Sequence, residues 1–369
     1  MKFSKKNILL IISILASVIC TWLFVRNIEW ALLKNALRGA NYWFIIPTFI
    51  LTLVVYVARA IRWRGLLLHI KVISVMNLLS VTLIGSMANN ILPARVGEVL
   101  RPFILTKKEN IKFSTSFATV IVERIFDMLG LIIFTVVVIA LLPHPSPSLH
   151  ILVHVSTSQV STINESIIPS LKKWTEVFAV VGVFTIAVLF LVVTRPDFFK
   201  KILFRCCFFL PHKIKDNILG LYESFVYGLK ILEDKTQAIW LLSLSLFIWV
   251  LGGAEIYLLG FSFHMHLPFL GACLVAVCLA LAVALPQAPG FIGVFHIAVL
   301  KSLHIFGIET TAAQSYAIVL WAISIFPSTL LGFLFLWREG IAFREVIKLE
   351  EEIAEGTLEK LEGVTREIK

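Results

Sequence analysis

The chain has 369 residues, of which 59% are apolar and only 15% are charged. Soluble domains average about 25% charged residues, so this composition excludes an ordinary water-soluble enzyme. The formal net charge of +10 could indicate nucleic acid binding, but lysine and arginine also collect in the cytoplasmic loops of membrane proteins. We therefore expect a membrane protein with no nucleic acid partner.

Apolar runs of about the length needed to cross a bilayer, roughly 20 residues, recur along the chain. The first follows three lysines, is longer than the core of a signal peptide and has no cleavage site after it, so we expect a retained span. The six predicted spans cover residues 8–25, 42–58, 116–142, 177–194, 238–260 and 314–337.

The apolar segment 75–92 is shorter and stops at the sequence N-N-I-L-P-A-R-V-G-E (89–98). If it crossed the membrane fully, the basic stretch 93–115 would lie outside and the loop 143–176, poor in lysine and arginine, would lie inside. Both placements oppose the preference of basic residues for the cytoplasmic side. We therefore predict a broken hairpin over 75–106 that enters from the cytoplasm and returns to it.

A second pair of short apolar segments, 269–285 and 290–306, flanks the sequence L-P-Q-A-P-G-F-I-G (285–293). The order of a span, a broken hairpin and a span then occurs twice, in units 42–142 and 238–337. Because the two hairpins enter from opposite sides, the units form an inverted repeat, which in transporters indicates a binding site near the bilayer midplane. Two proline-kinked helical pairs without functional symmetry are the alternative.

The predicted fold class is an all-α polytopic membrane protein with six spans and two broken hairpins. A transmembrane domain covers 1–337, and a charged cytoplasmic tail follows over 338–369. We expect the cell inner (plasma) membrane, with both termini cytoplasmic. The sequence has no nucleotide-binding loop or serine nucleophile motif, and its histidines lack carboxylates at metal-ligand spacing. We therefore predict no enzyme activity, no cofactor and no metal.

Charged residues at membrane depth form the first candidate site, because each costs about 2.5–3.5 kcal/mol at a helix centre. Glu123, Arg124 and Asp127 lie roughly 10–17 Å into their span. Glu123 and Asp127 share a helix face, and Arg124 can pair with Asp127. Without Arg124, we expect the two acids to face each other unpaired. A cluster that only holds helices together is the alternative.

The first break forms the second candidate site. Pro93 and Gly97 let the backbone leave helical geometry, and free N–H groups where a helix restarts bind anions, as guanidinium groups do. We predict a lipid phosphate site, the alternative being a loop with ordinary surface charges. The predicted lipid-binding residues are Asn90, Arg95, Glu98, Arg101, Glu123, Arg124 and Asp127. The predicted hinge residues are Pro93, Gly97, Pro286, Pro289, Gly290 and Gly293. At the second break, a structural kink is as good an interpretation as a hinge.

Four ordered stretches then carry a family resemblance: R-A-I-R-W-R-G-L-L (59–67), N-N-I-L-P-A-R-V-G-E-V-L-R-P (89–102), V-I-V-E-R-I-F-D (120–127) and L-P-Q-A-P-G-F-I-G-V (285–294). Over most of its length the chain resembles the flippase-like transmembrane family of lysylphosphatidylglycerol synthases and their stand-alone UPF0104 relatives. The resemblance implies that this region translocates aminoacylated phosphatidylglycerol in full-length synthases. We expect the separate synthase domain to be absent here. One departure is His296, where many relatives have glutamate; if that glutamate contacts the substrate, this protein's lipid differs.

Three functions are therefore compared. The leading hypothesis is a lipid flippase or permease that moves an anionic or modified phospholipid, or a polyprenyl-type lipid, across the inner membrane. The alternative is a non-transporting subunit that presents a lipid to an enzyme of cell-envelope or glycolipid synthesis. A membrane-embedded transferase is third, and the lack of a nucleotide-sugar domain argues against it. The expected partners are a membrane lipid with an anionic headgroup and, in the alternative, the envelope-biosynthesis enzyme.

Overall fold

The computed structural model describes residues 18–26, 28, 30–92, 95–142, 198, 234–284 and 288–347. Residues 18–25 are helical, and the longer helices of the described residues are α1 (Trp30–Gly39), α2 (Ile45–Leu67), α3 (Val75–Ile91), α4 (Gly97–Glu109), α5 (Phe113–Leu141), α6 (Lys235–Ser262), α7 (Phe269–Ala284), α8 (Val294–His304) and α9 (Thr310–Arg338). No strand occurs in these ranges, so the predicted all-α class is confirmed.

Four of the helices are long and apolar enough to cross a membrane: α2 with the turn before it, α5, α6 and α9. They correspond to four of the six predicted spans. The helix of the span predicted to end at residue 58 continues to Leu67. The arginines after residue 58 suggested a loop, but they lie within the helix, and Arg62 is completely buried.

Several predictions fall outside the described residues. The span 177–194 and the loop 143–176 lie there, as do most of the span 8–25 and the hinge candidates Pro93 and Pro286. These remain predictions.

The first predicted hairpin is present as helices α3 and α4. Helix α3 begins after Ser74, whose Oγ accepts a hydrogen bond from the backbone N–H of Asn77 at 3.2 Å. Helix α4 then returns along α3, so that Asn77 Nδ2 donates to Glu109 Oε1 at 2.8 Å near the end of α4. The two backbones touch at Gly85 and Gly97, where a Cβ on Gly97 would overlap the Gly85 carbonyl oxygen. The break and the return are confirmed; the side of entry stays a prediction.

The second predicted hairpin is present as helices α7 and α8. Its two ends meet where Gly271, near the start of α7, packs against the ring of Phe306, just after α8. Between the helices, Gly290 and Gly293 have φ angles of 68° and 84°. Glycine adopts this left-handed region readily, whereas other residues are strained there. These two glycines therefore permit the non-helical turn that directly precedes α8.

Described residues beside the two breaks contact each other. Arg95 Nη2, just after the first break, donates to the carbonyl of Val283 in the last turn of α7. Gly290, in the second break, lies beside the carbonyl oxygen of Asn90, and its own carbonyl accepts a hydrogen bond from Trp321 Nε1 at 2.7 Å. A long helix, two short helices separated by a break, and a long helix thus occur in this order twice. The inverted symmetry of the two units, 42–142 and 238–337, stays a prediction.

The segment after α9 packs onto the first hairpin. Val346 is buried in the same hydrophobic cluster as residues of α3 and α4. Lys108, near the end of α4, forms an ion pair with Glu339. The described beginning of the predicted cytoplasmic tail is therefore attached to the hairpin.

Candidate functional site

A cavity of about 390 Å³ lies between the two breaks and is lined by residues from every helix from α2 to α9. Cavities that hold small ligands are usually about 300–1,000 Å³, so this one can accommodate a lipid headgroup. The structure brings all seven predicted lipid-binding residues to its wall: Asn90, Arg95, Glu98, Arg101, Glu123, Arg124 and Asp127.

The charges on the wall are balanced in number. Four arginines and four carboxylates line it: Arg59, Arg95, Arg101 and Arg124, with Glu98, Glu123, Asp127 and Glu255. Burial of so many charges is unfavourable unless they are paired and hydrogen-bonded. The pairing therefore determines which of them a ligand can use.

Arg62, just behind the wall, holds the acidic residues of α5. Its Nη2 donates to Glu123 Oε1 at 3.1 Å, and its Nη1 donates to Asp127 and, at 2.9 Å, to Ser245 Oγ. Arg62 is completely buried and joins α2, α5 and α6. Sequence reasoning missed it as a site residue.

Arg101 holds Glu123 from the other side. Its Nη2 lies 3.0 Å from Glu123 Oε2, and its guanidinium stacks over the ring of Trp63 at 4.3 Å. Its side-chain carbons lie close to Gly85, where a Cβ would overlap them. Glu123 is thus fixed between two arginines.

Arg124 is held more loosely. Its nearest carboxylate oxygens belong to Asp127, at 3.6 Å, and Glu98, at 3.7 Å, and 43% of its side chain is exposed. The predicted approach of Arg124 to Asp127 is present. The expectation that the two acids would be unpaired without Arg124 is wrong, because Arg62 contacts both. Arg124 is therefore paired less closely than Arg62 and Arg101, and part of its side chain faces open space.

Two other predicted binding residues have structural partners. Asn90 Nδ2 donates to Ser328 Oγ at 3.0 Å and Thr329 Oγ1 at 2.9 Å, joining α3 to α9. Arg95 is exposed at the break, has a positive φ of 55° and donates to Val283. Only part of the hydrogen-bonding capacity of these side chains remains for a ligand.

The hinge candidates within the described residues have different roles. Gly97 permits the close contact between α3 and α4, whereas Pro289 begins the turn Pro289–Phe291. Gly290 and Gly293 supply two of the three positive φ angles of that turn region, and Phe291 has the third, at 58°. His296 is absent from the cavity wall. It is buried between the rings of Phe24 and Trp321, at centroid distances of 4.9 and 5.7 Å, and is a packing residue.

Glu255, a second residue that sequence reasoning missed, lines the cavity from α6. Its Oε1 accepts a hydrogen bond from Thr52 Oγ1 at 2.8 Å. The sequence signal for Glu255 was a single carboxylate inside a long apolar run. Its depth in the predicted span would have identified it, as depth identified Glu123. Within the described residues, no group of three His, Cys, Asp or Glu side chains could hold a metal ion.

Comparisons with known proteins identify the family to which the chain belongs. A UPF0104 membrane protein of Methanocaldococcus jannaschii is 28% identical over 260 residues, which cover 70% of this chain and 96% of the relative. A UPF0104 membrane protein of Pyrococcus horikoshii is 26% identical over 340 residues, covering 89% of this chain and 95% of the relative. No solved structure matches the chain. The family model described as "Lysylphosphatidylglycerol synthase TM region" matches residues 10–332, and the chain belongs to this family of multi-pass membrane proteins.

Proposed function

We propose that the protein is a lipid flippase or permease that moves a lipid with an anionic phosphate headgroup through this cavity. The observation that carries the proposal is the charged cavity enclosed by two broken hairpins, part-way along four helices of membrane-spanning length. Irregular backbone at membrane depth is tolerated only where it is buried in protein or lines a cavity. Broken helices around a central site are typical of transporters.

The arginines on the wall support an anionic headgroup. A guanidinium binds phosphate through two parallel hydrogen bonds. The ion pairs of Arg124 are long, at 3.6 and 3.7 Å. Arg59 takes part in no ion pair within the described residues. Its guanidinium lies over the ring of Tyr56, 5.6 Å from the centroid. The volume of about 390 Å³ suits a headgroup whose acyl chains remain in the bilayer.

The test is lipid movement in liposomes containing the purified protein. The probe is phosphatidylglycerol with a fluorescent acyl chain, whose outer-leaflet fraction is quenched by an impermeant reductant. Labelled phosphatidylcholine reports movement that does not depend on an anionic headgroup. We expect movement of phosphatidylglycerol in excess of phosphatidylcholine, and equal movement of both would contradict the proposed selectivity.

Gly252 offers a way to block the cavity without changing its charges. It lies on the wall, and a Cβ built there would have no atom within 4 Å. Gly252→Leu should therefore fold and fill the cavity, stopping lipid movement. The matched control is Gly39→Leu, because Gly39 also faces open space but lies in α1, away from the wall. Retained movement in Gly252→Leu would refute a route through this cavity.

The same experiment separates the alternative function. A subunit that presents lipid to an envelope-biosynthesis enzyme would bind phosphatidylglycerol but would not move it in liposomes. We further propose that the protein lies in the inner (plasma) membrane with both termini cytoplasmic and has no enzymatic activity of its own. Single cysteines placed in 100–112 should then react only from the cytoplasmic side, and labelling from outside would overturn this orientation.

A further inference from the structure

Glu255 differs from the other carboxylates of the cavity wall in its surroundings. Each of the other three has arginine nitrogens within 4 Å: Glu123 has Arg62 and Arg101, Asp127 has Arg62 and Arg124, and Glu98 has Arg95 and Arg124. Glu255 takes part in none of the ion pairs formed within the described part of the chain. Its hydrogen-bond partner is the hydroxyl of Thr52.

The hydrogen bonds around Thr52 can accommodate a proton on Glu255. Thr52 Oγ1 lies 2.8 Å from Glu255 Oε1 and 3.1 Å from the carbonyl oxygen of Thr48. A hydroxyl has one hydrogen, so it cannot donate to both oxygens when Glu255 is ionised. If Glu255 carries a proton, it donates to Thr52, and Thr52 donates to the Thr48 carbonyl. Each of these oxygens is then satisfied, so the site accommodates the proton.

Among the arginines of the cavity wall, Arg59 is the one that takes part in none of the ion pairs formed within the described residues. On α2, Tyr56 and Arg59 lie one and two turns after Thr52 on the same face. Tyr316 of α9 donates its hydroxyl hydrogen to the Ile256 carbonyl at 2.6 Å. The remaining titratable side chains on the packed elements have other neighbours. Arg124 and Asp127 of α5 form an ion pair, and Tyr42 donates to the Leu37 carbonyl. Cys273 of α7 packs against Gly253, and Cys278 of α7 faces Ser302.

We propose that the cavity takes up a proton on Glu255 when a phosphate headgroup binds at Arg59 on the same wall. With Glu255 ionised, the four arginines and four carboxylates of the wall leave no net charge for an added phosphodiester. When the anion occupies Arg59, a proton from water in the cavity forms an O–H bond on the Glu255 carboxylate and restores the balance. Unpaired buried charges are neutralised in this way.

The inference rests on the proposed function, because it needs an anionic lipid in the cavity. The coupling is reciprocal: if the anion favours the proton, the proton favours the anion by the same factor. Protonated Glu255 makes the wall more positive, so the affinity for the anion should rise as pH falls. For a single proton, the rise is at most about tenfold per pH unit.

The experiment measures binding of short-chain phosphatidylglycerol to the purified full-length protein by calorimetry across a pH series. Calorimetry in two buffers with different ionisation enthalpies also gives the number of protons taken up by the wild-type protein. We expect uptake of up to one proton and tighter binding at lower pH. Glu255→Gln, which is nearly isosteric with the protonated acid, should bind at every pH as tightly as wild type at low pH, without proton uptake. Arg59→Gln should lose most of the affinity and the pH dependence together.

Glu309→Gln is the control, because Glu309 is an exposed acid outside the cavity, and this variant should keep the wild-type pH dependence. If the affinity for phosphatidylglycerol does not change with pH, the coupling is refuted and the proposed function still stands. The same holds for a Glu255→Gln variant that keeps the pH dependence, or a wild-type protein that binds the lipid without proton uptake. If wild type binds no phosphatidylglycerol at any pH, the proposed function fails, and the coupling fails with it.

Discussion

Arg62→Leu is the substitution that we expect to destabilise the fold most clearly. The Arg62 side chain is 1% exposed and donates to Glu123, Ser245 and Asp127. Its loss leaves Asp127 with Arg124, whose nearest nitrogen is 3.6 Å away. Removing one partner of a buried ion pair costs about 3–5 kcal/mol, because the other charge stays buried without compensation. Arg101 still holds Glu123, so we expect a loss near the lower end, about 3 kcal/mol.

The measurement is the free energy of unfolding in detergent micelles, compared between variants. Arg64→Leu is the matched control, because Arg64 is an exposed arginine on the same helix and should change stability by no more than about 0.5 kcal/mol. Adding Asp127→Asn to Arg62→Leu should recover part of the loss by removing the uncompensated charge. A loss below about 1 kcal/mol, or a double variant with simply additive losses, would refute the argument from buried charge.

Four further predictions use the same stability assay. Gly252→Ala should stabilise the protein by up to about 1 kcal/mol, because the position is helical, faces open space and alanine favours helix over glycine; a loss would show that the site is packed. Gly97→Ala should destabilise it by about 3 kcal/mol or more, because the new Cβ overlaps the Gly85 carbonyl oxygen, and a neutral result would refute that contact. Gly290→Ala should cost about 1–2 kcal/mol because φ is 68°, and Gly290→Asn should cost less; equal losses would argue against backbone strain. Arg124→Ala should leave stability nearly unchanged, because its ion pairs are long, yet weaken phosphatidylglycerol binding measured by calorimetry; unchanged binding would remove Arg124 from the site.

The broken hairpins could be predicted from the sequence because their signals are local. Proline and glycine interrupt the apolar segments at 93–97 and 286–293, and the distribution of lysine and arginine argues against a full crossing by 75–92. Glu123 and Asp127 were also predictable, since two acids one helical turn apart in an apolar span are unusual. Local sequence therefore indicated both the breaks and one charged side of the cavity.

The partners of these charges could not be predicted, because they lie far away in the chain. Arg62 follows the apolar run 42–58 by a few residues, where arginine usually marks the membrane surface. Its burial is favourable only because Glu123 and Asp127 on α5 and Ser245 on α6 meet it in the folded protein. Glu255 likewise has no charged neighbour within its helix, and its partner Thr52 is 203 residues away.

The hydrogen bonds around the cavity differ in type between the Arg62 network and the breaks. The Arg62 network joins α2, α5 and α6 through several buried charge-assisted hydrogen bonds. Beside the breaks, Asn90 donates to Ser328 and Thr329, Trp321 donates to the Gly290 carbonyl, and Arg95 donates to the Val283 carbonyl. A net contribution of about 0.5–1.5 kcal/mol is typical of a neutral hydrogen bond, and one with a charged donor contributes about 1.5–3 kcal/mol. Most of the bonds named beside the breaks are neutral, so each contributes less than a bond of the Arg62 network. If the cavity opens to admit a headgroup, it should open at the breaks while the Arg62 network stays intact.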